Sequence, residues 1–266
     1  VSKSTEFAPA KRRAALSPDE MPPAGRIGAS FELPARVTHY LNDVLRMQPG
    51  EFVDLFDGSG RVILAELLEG DGEQLQVLIR DDRTRLQGES RCAITLVQAV
   101  PKGKRFDLIL EKATELGVAR IIPLESQRTV VKISADKVDS KLERWERIID
   151  GAARQCRRNI TPELSAPMTV DQAIQALQTI PNFVAHTADD LPSLPELLGA
   201  RAANNVAAHP AVALWIGPEG GFDAAEIEAL LHEGARPFHL GPRVLRAETA
   251  GLVGISLLQA FLGDLA

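Results

Sequence analysis

Only two cysteines, Cys92 and Cys156, occur in the 266 residues. They are too few and too far apart for a disulfide framework or a cysteine zinc site. The five histidines, His39, His186, His209, His232 and His239, show no metal-ligand spacing among themselves or with the cysteines, so no metal is expected. H-E-x-x-H, G-x-S-x-G and G-x-G-x-x-G are all missing. Their absence removes zinc peptidase, nucleophile-elbow hydrolase and ordinary dinucleotide-binding readings. Long apolar runs are missing too. The most apolar segment, Leu252 to Leu262, is too short to span a bilayer, and no N-terminal stretch reads as a signal peptide. The expectation is a reduced, cytoplasmic protein with no membrane partner.

Positive charge is scarce in one place and concentrated in another. With 45% hydrophobic and 25% charged residues the chain has the balance of an ordinary globular protein, and its net charge of -6 argues against nonspecific nucleic-acid binding. The distribution is uneven. Residues 86–160 carry 15 basic and 10 acidic groups, whereas residues 161–266 carry 4 and 12. This asymmetry permits one basic face on an acidic protein, and a solvated helix surface produces it equally well. The four basic residues of the last third are Arg201, Arg236, Arg243 and Arg246.

Length and texture favour two domains. Residues 1–24 mix Lys11-Arg12-Arg13 with prolines and lack periodicity, so they read as a partly flexible leader. Residues 25–85 are mostly β. Glu51 to Phe56 and Arg61 to Leu68 form a hairpin across Asp57-Gly58-Ser59-Gly60, a turn at Gly70-Asp71-Gly72 leads to a strand over Gln74 to Arg80, and Ala35 to Met47 places Val37, Leu41 and Val44 on one helical face. These elements suggest a small barrel. The polar run Asp81 to Arg85 is the expected boundary.

Residues 86–266 alternate strands with helices, which implies a parallel sheet. Cys92 to Val100 is a strand, Phe106, Ile109, Ala113 and Leu116 mark a helix ended by Gly117, and Arg120 to Leu124 is the next strand. Lys102-Gly103-Lys104-Arg105 lies between strand and helix without P-loop spacing. Its cations suit phosphates, with solvent exposure an equal alternative. Val138 to about Arg158 should be one long amphipathic helix ending in Arg154, Arg157 and Arg158. Those cations either complement the helix dipole or form an RNA-contact patch. A short helix near Val170 to Leu177, a strand at Asn182 to His186, and surface loop with short helix over Pro192 to Ala208 follow.

Most of the candidate chemistry lies in Leu214 to Ser256. A strand over Ala211 to Ile216 runs into Gly217-Pro218-Glu219-Gly220-Gly221, then a helix opened by Asp223 with Glu226 at capping-box spacing. The pattern repeats with a strand near Pro237 to Leu240, the loop Gly241-Pro242-Arg243-Val244-Leu245-Arg246, and an apolar helix from Ala247. In open α/β sheets ligands sit beyond the carboxyl ends of the strands, so two such loops can line one crevice. Two ordinary strand-to-helix turns fit these residues equally well.

Ile216 to Phe222 together with Leu240 to Ala250 resemble the signature loops of the RsmE-type 16S ribosomal RNA uracil N3 methyltransferases of the SPOUT superfamily. Val44 to Met47, Phe56 to Gly60, Pro101 to Gly103, Lys112 to Gly117 and Arg128 to Lys132 also look like segments of that family, in its order. The resemblance implies a small N-terminal PUA-like β-barrel for RNA, followed by a C-terminal SPOUT α/β domain with a parallel sheet and a deep trefoil knot. It also implies S-adenosyl-L-methionine as cofactor, 16S ribosomal RNA in the small subunit as substrate, and a homodimer. Cofactor contacts are expected from Ile216, Gly217, Glu219, Gly221, Leu240, Gly241, Val244, Leu245 and Thr249, and from Val184, His186 and Thr187 on the preceding strand. RNA contacts are expected from Arg46, Lys102, Lys104, Arg105, Arg128, Lys132, Arg154, Arg157 and Arg158.

Methylation at N3 removes that nitrogen's proton, so an anionic uracil needs a cation or donor beside it. Arg246, with Arg243, is the expected catalytic group; the alternative account of Glu219 and Glu248 is that either pairs with these arginines and holds them in place. The chain departs from the family in a longer leader, in showing no evident Arg-aromatic opening strand, and in Cys156-Arg157-Arg158-Asn159 where Ser-Gly-Arg-Asn or Cys-Gly-Arg-Asn is more typical. The competing readings are a SPOUT methyltransferase acting on another RNA site, or a noncatalytic RNA-binding protein of the same fold.

Overall fold

A computed structural model describes residues 10–69, 74–84, 88–188, 190–202 and 211–265. The chain divides into two compact units: residues 1–89 with 153–161, and residues 90–152 with 162–266.

In the first unit, strands β1 (Arg12–Ala15), β2 (Ser30–Glu32), β3 (Phe52–Phe56), β4 (Arg61–Leu67) and β5 (Gln76–Thr84) form a sheet in the order β1-β3-β4-β5-β2. The expected hairpin is β3–β4, antiparallel from Phe52↔Glu66 to Phe56↔Val62. Val53 and Leu55 alternate inward to a core shared with Ile63, Ala65, Val77 and Ile79, as the two-residue period of a strand requires. The turn expected at residues 70–72 lies outside the described residues.

The leader expectation is corrected by β1, which pairs in parallel with β3 from Arg12↔Val53 to Ala15↔Phe56. An opening strand is therefore present after all. It was hidden because a four-residue strand is too short to show periodicity. Residues beyond β1 are tied down as well: the Arg61 Nη1 donates to the Pro22 carbonyl at 2.7 Å, and the Gly25 N–H donates to Asp82 Oδ2 at 2.8 Å. The expected boundary also moves, because Asp81 to Thr84 belong to β5, where Arg61 grips Asp82 with Nε and Nη2, each at 2.9 Å.

The helix expected over Ala35 to Met47 is α1 (Ala35–His39) followed by a π-helical turn over Tyr40–Val44. The wider turn changes the side-chain rotation. Val37 and Leu41 stay buried, while Val44 is 61% exposed, against expectation.

The second unit is built on a seven-stranded sheet whose described pairings are all parallel. Its strands are β6 (Ala93–Ala99), β7 (Arg120–Glu125), β8 (Glu163–Leu164), β9 (Met168–Thr169), β10 (Asn182–Ala185), β11 (Ala211–Ile216) and β12 (Arg236–Phe238). The path is β12-β10-β11-β6-β7-β8, with β9 also on β7. Pro123, which has no N–H, faces the gap between those two short strands, since β8 pairs with Arg120 and Ile121 and β9 with Leu124 and Glu125.

Both faces of this sheet are covered, which explains its near-continuous apolar strands. Val212, Leu214 and Ile216 of β11 face one core with α2 (Arg105–Glu115), α3 (Ala135–Cys156), α5 (Leu194–Ala202) and α7 (Ala247–Leu262), whereas Ala213 and Trp215 face the other with α4 (Val170–Ala176) and α6 (Ala224–His232). Leu194 and Leu198 are fully buried, so α5 is a core helix and not the surface segment expected. α7 lies close over the sheet centre: a Cβ on Gly254 would come within 2.8 Å of Leu214 Cδ2, and one on Gly251 within 2.7 Å of Gln98 Oε1. Its buried face runs through Ala250, Gly254, Ile255 and Leu258, while Phe261 is 44% exposed. No helix among the described residues is long and apolar enough to cross a membrane.

Candidate functional site: the carboxyl ends of the parallel strands

Because the strands are parallel, the loops after β6, β10, β11 and β12 emerge at one end of the sheet. Ile216↔Gln98 and Val184↔Trp215↔Val97 bring β10, β11 and β6 level there, and Ala185↔Phe238 adds β12. The two glycine-bearing loops therefore share one end, as the crevice reading required.

The first loop is closed by a Gly221 N–H bond to the Pro218 carbonyl at 2.9 Å. Gly217 packs against Phe222, where a Cβ would lie 3.0 Å from the ring, so only glycine fits without displacement. The predicted capping box is present: Asp223 accepts from the Ala225 N–H at 3.2 Å, and Glu226 accepts from the Asp223 N–H at 2.8 Å. In the second loop, the His239 Nδ1 accepts from the Gly241 N–H at 2.9 Å. His239 N–H donates to the Pro192 carbonyl at 3.1 Å, which ties this loop to the one after β10. There the Ser193 N–H and hydroxyl hold the Glu196 carboxylate below its ordinary pKa.

Glu219 and Glu248 do not pair with the loop arginines. Arg105, at the start of α2, meets Glu219 through Nη1 at 3.1 Å and Glu248 through Nε at 3.7 Å. Arg243 and Arg246 are exposed, and their side chains make no hydrogen bond or ion pair with the described residues. Arg246 is the N-cap of α7 but caps it with no side-chain bond. The carboxylates are thus taken up by a cation from another element, and the two loop arginines are left available.

The remaining candidates fall into place around this end. Ile216 and Val184 are buried within the sheet, so the Val184 side chain belongs to the core, while His186, Thr187, Leu240, Gly241, Leu245 and Thr249 lie at its edge. Val244 is 85% exposed. The backbone at Gly221 (φ 69) and Gly241 (φ 97) borders open space, since a Cβ there would meet nothing within 4 Å among the described residues. Two polar groups lie next to the loops, and of these Gln98 is absent from the sequence-based candidates. Gln98, alone among apolar residues near the end of β6, and Glu248 each bury one side-chain oxygen with no hydrogen-bond partner among the described residues. A long polar side chain in an otherwise nearly apolar strand was the available signal for Gln98.

Comparison with known proteins places this arrangement. Residues 88–259 match the model of an RNA methyltransferase domain, and residues 33–80 that of an RNA methyltransferase PUA domain. A Synechocystis ribosomal RNA small subunit methyltransferase E is 34% identical over 89% of this chain and 75% of its own length.

The chain belongs to the ribosomal RNA small subunit methyltransferase E family.

Two solved structures of this kind are similar along nearly their whole length. A putative methyltransferase from Legionella pneumophila, in complex with the bound cofactor SAM, superposes with a TM-score of 0.81 at 36% identity, covering 95% of this chain and 98% of the other. The Neisseria gonorrhoeae ribosomal RNA small subunit methyltransferase E, bound to S-adenosyl methionine, gives 0.78 at 29% identity, covering 96% and 99%. The PUA-like N-terminal domain and the parallel-sheet methyltransferase domain are thereby established for this chain.

Among the candidate RNA contacts of this methyltransferase, Arg46, Lys102, Lys104, Lys132 and Arg157 are exposed and Arg154 is half-buried. Arg105 and Arg128 are exposed but engaged, Arg128 with the Gly220 carbonyl and Asp223. Arg158 contradicts its expectation. It is 4% exposed and its guanidinium is bound to Glu89, so it faces the protein interior. Its place in a run of cations had suggested a surface role, and a buried carboxylate 69 positions earlier in sequence cannot be read from that run.

Proposed function

We propose that this chain transfers the methyl group of S-adenosylmethionine to N3 of one uridine in small-subunit ribosomal RNA. The reading rests on family membership and on the SAM-bound relatives, and one feature of the site carries the chemistry: the Arg243 and Arg246 side chains stand in the second loop without partners among the described residues. The residues present suit the cofactor. Open backbone at Gly221 and Gly241 lets a ligand approach main-chain donors and acceptors, and Leu240, Val244 and Leu245 supply apolar surface for a purine. The bound cofactor supplies an electrophilic methyl group on a sulfonium.

The chain's own part is positioning and charge. N3 gives up its proton and then carries negative charge, which Arg246, assisted by Arg243, offsets. The N3–methyl bond forms as the sulfur–methyl bond breaks, the bonding pair leaves with sulfur, and the proton passes to water. Arg105 keeps Glu219 and Glu248 from neutralising the loop arginines. RNA is held by the PUA-like domain and by exposed cations such as Lys102, Lys104 and Lys132.

The same reading includes a trefoil knot, a homodimer and a cytoplasmic location. After edge strand β12 the chain returns as α7 over Leu214 of β11 and Gln98 of β6, the path a threaded C-terminus would take. Val253, Leu257 and Phe261, four residues apart, leave an incompletely buried apolar stripe on α7 that suits a second copy.

Mass spectrometry of small-subunit RNA from a strain lacking the protein tests the activity. Loss of a single 3-methyluridine, restored by the gene, is the expected result. An unchanged modification profile would overturn the target, and absence of saturable S-adenosylmethionine binding in calorimetry would overturn the activity.

A further inference from the structure

The loop after β7 opens with Ser126-Gln127-Arg128-Thr129, a segment whose sequence pointed to RNA. In the fold it is rigid and turned toward the first glycine loop. Ser126 and Thr129 are both 5% exposed and close a tight turn, with Ser126 N–H to Thr129 Oγ1 at 3.0 Å and Thr129 N–H to the Ser126 carbonyl at 3.1 Å. From this turn three bonds cross to the loop between β11 and α6 and to the first turn of α6. Gln127 N–H donates to Glu226 Oε1 at 2.8 Å, Arg128 Nη1 to the Gly220 carbonyl at 3.0 Å, and Arg128 Nη2 to Asp223 Oδ2 at 3.3 Å. The arginine side chain also lies across Gly220, its Cδ 3.7 Å from where a Cβ would stand.

Each crossing bond ends on a group that shapes the loop. Glu226 and Asp223 form the capping box of α6, so the Glu226 carboxylate serves Asp223 N–H through Oε2 and Gln127 N–H through Oε1. Gly220 lies in a loop with three glycines, residues that have more backbone freedom to lose on ordering than others. An ion pair with about half of each side chain exposed adds little to global stability. A bond from a charged donor to the carbonyl of a glycine, held by a buried turn, instead selects one conformation of the loop in advance.

We propose that Arg128 is a positioning residue for cofactor binding: it fixes the Gly217–Gly221 backbone in its cofactor-receiving shape and is not a primary RNA contact. The inference rests on the reading that this loop holds S-adenosylmethionine. A preorganised loop lowers the ordering cost of binding, so removal of the brace appears in affinity for the cofactor.

Calorimetry with S-adenosylmethionine on the full-length protein, in the absence of RNA, tests it. Arg128→Ala is expected to weaken cofactor binding about tenfold, the equivalent of about 1.4 kcal/mol. Its melting temperature and its affinity for a small-subunit RNA fragment, measured without cofactor, stay at wild-type values. Arg128→Lys, which keeps one charged donor for the Gly220 carbonyl, recovers part of the loss. Unchanged cofactor affinity in Arg128→Ala, or a fall in RNA affinity in its place, would overturn the proposal. Failure of the wild-type protein to bind the cofactor would instead overturn the functional reading beneath it.

Discussion

Glu89 receives Arg158 through one oxygen and the main chain through the other. Arg158 Nε and Nη2 lie 3.0 and 2.9 Å from Glu89 Oε2, while Oε1 accepts from the N–H groups of Asn159 and Ile160, each at 2.9 Å. The side chains are only 5% and 11% exposed. Four donors on one carboxylate fix the 153–161 segment within the first unit, and Arg13 adds bonds to the Arg158 carbonyl and the Asn159 side chain while stacking on Phe56 at 4.3 Å.

Removing one partner from such a pair leaves a buried charge without compensation, which costs about 3–5 kcal/mol. Glu89→Ala and Arg158→Ala should each lower stability by that order in urea denaturation. A variant of Arg158 that lost RNA affinity with no change in midpoint would restore the surface role and refute the structural one.

Arg157 ends α3 with φ 65, a left-handed conformation that favours glycine. The Arg158 N–H to Ala153 carbonyl bond, 3.0 Å, is the six-residue closure of a Schellman cap. This conformation gives the arginine here a strain of about 1 kcal/mol or more. Arg157→Gly should therefore raise the unfolding free energy by about 1 kcal/mol, after allowance for the added freedom of the unfolded chain. Comparing its RNA affinity with wild type separates the backbone gain from any contact the side chain makes.

How much was legible in the sequence follows from the range of the forces involved. The capping box Asp223/Glu226, the hairpin at Asp57 to Gly60 and the helix end at Gly117 are set within a few residues, and the chain alone displays them. The shared end of the two glycine loops came from strand alternation, because parallel order puts successive loops together. What was not legible is long-range pairing. Nothing in the run around Arg158 points to Glu89, nothing near Arg105 points to Glu219 114 positions away, and β1 becomes a strand only because β3 offers it an edge. Val44 was misplaced by a smaller effect, the one-residue widening of a π turn.

Asp82 gives a pH dependence with a definite sign. The bidentate bond from Arg61 holds its pKa below the ordinary 3.8, with the Gly25 N–H assisting against partial burial. The native state thus binds this proton less readily than the unfolded chain does. The pair contributes fully above about pH 4, and its contribution disappears as pH falls through the lowered native value. Asp82→Asn should be less stable than wild type at pH 7, and the difference should narrow as thermal melts are taken from pH 5 down to pH 2. A difference independent of pH over that interval would show that the ion pair is not the source.

Arg246 is the group on which the proposed chemistry depends most directly, and its surroundings make the test clean. It is exposed, its side chain makes no bond to the described residues, and it caps α7 only through its backbone carbonyl, so Arg246→Ala should melt like wild type. Cofactor affinity should persist as well, because the loop backbone at Gly241 to Leu245 does not depend on that side chain. If the guanidinium faces the charge that develops on N3, its loss resembles removal of an oxyanion-stabilising donor, about a hundred- to a thousandfold in turnover. Lysine restores the charge without the fork geometry and should recover part of that loss. Single-turnover methylation at saturating RNA and cofactor measures the effect on the chemical step itself. Full turnover in Arg246→Ala under those conditions would assign the charge to Arg243, whose own alanine variant would then carry the loss.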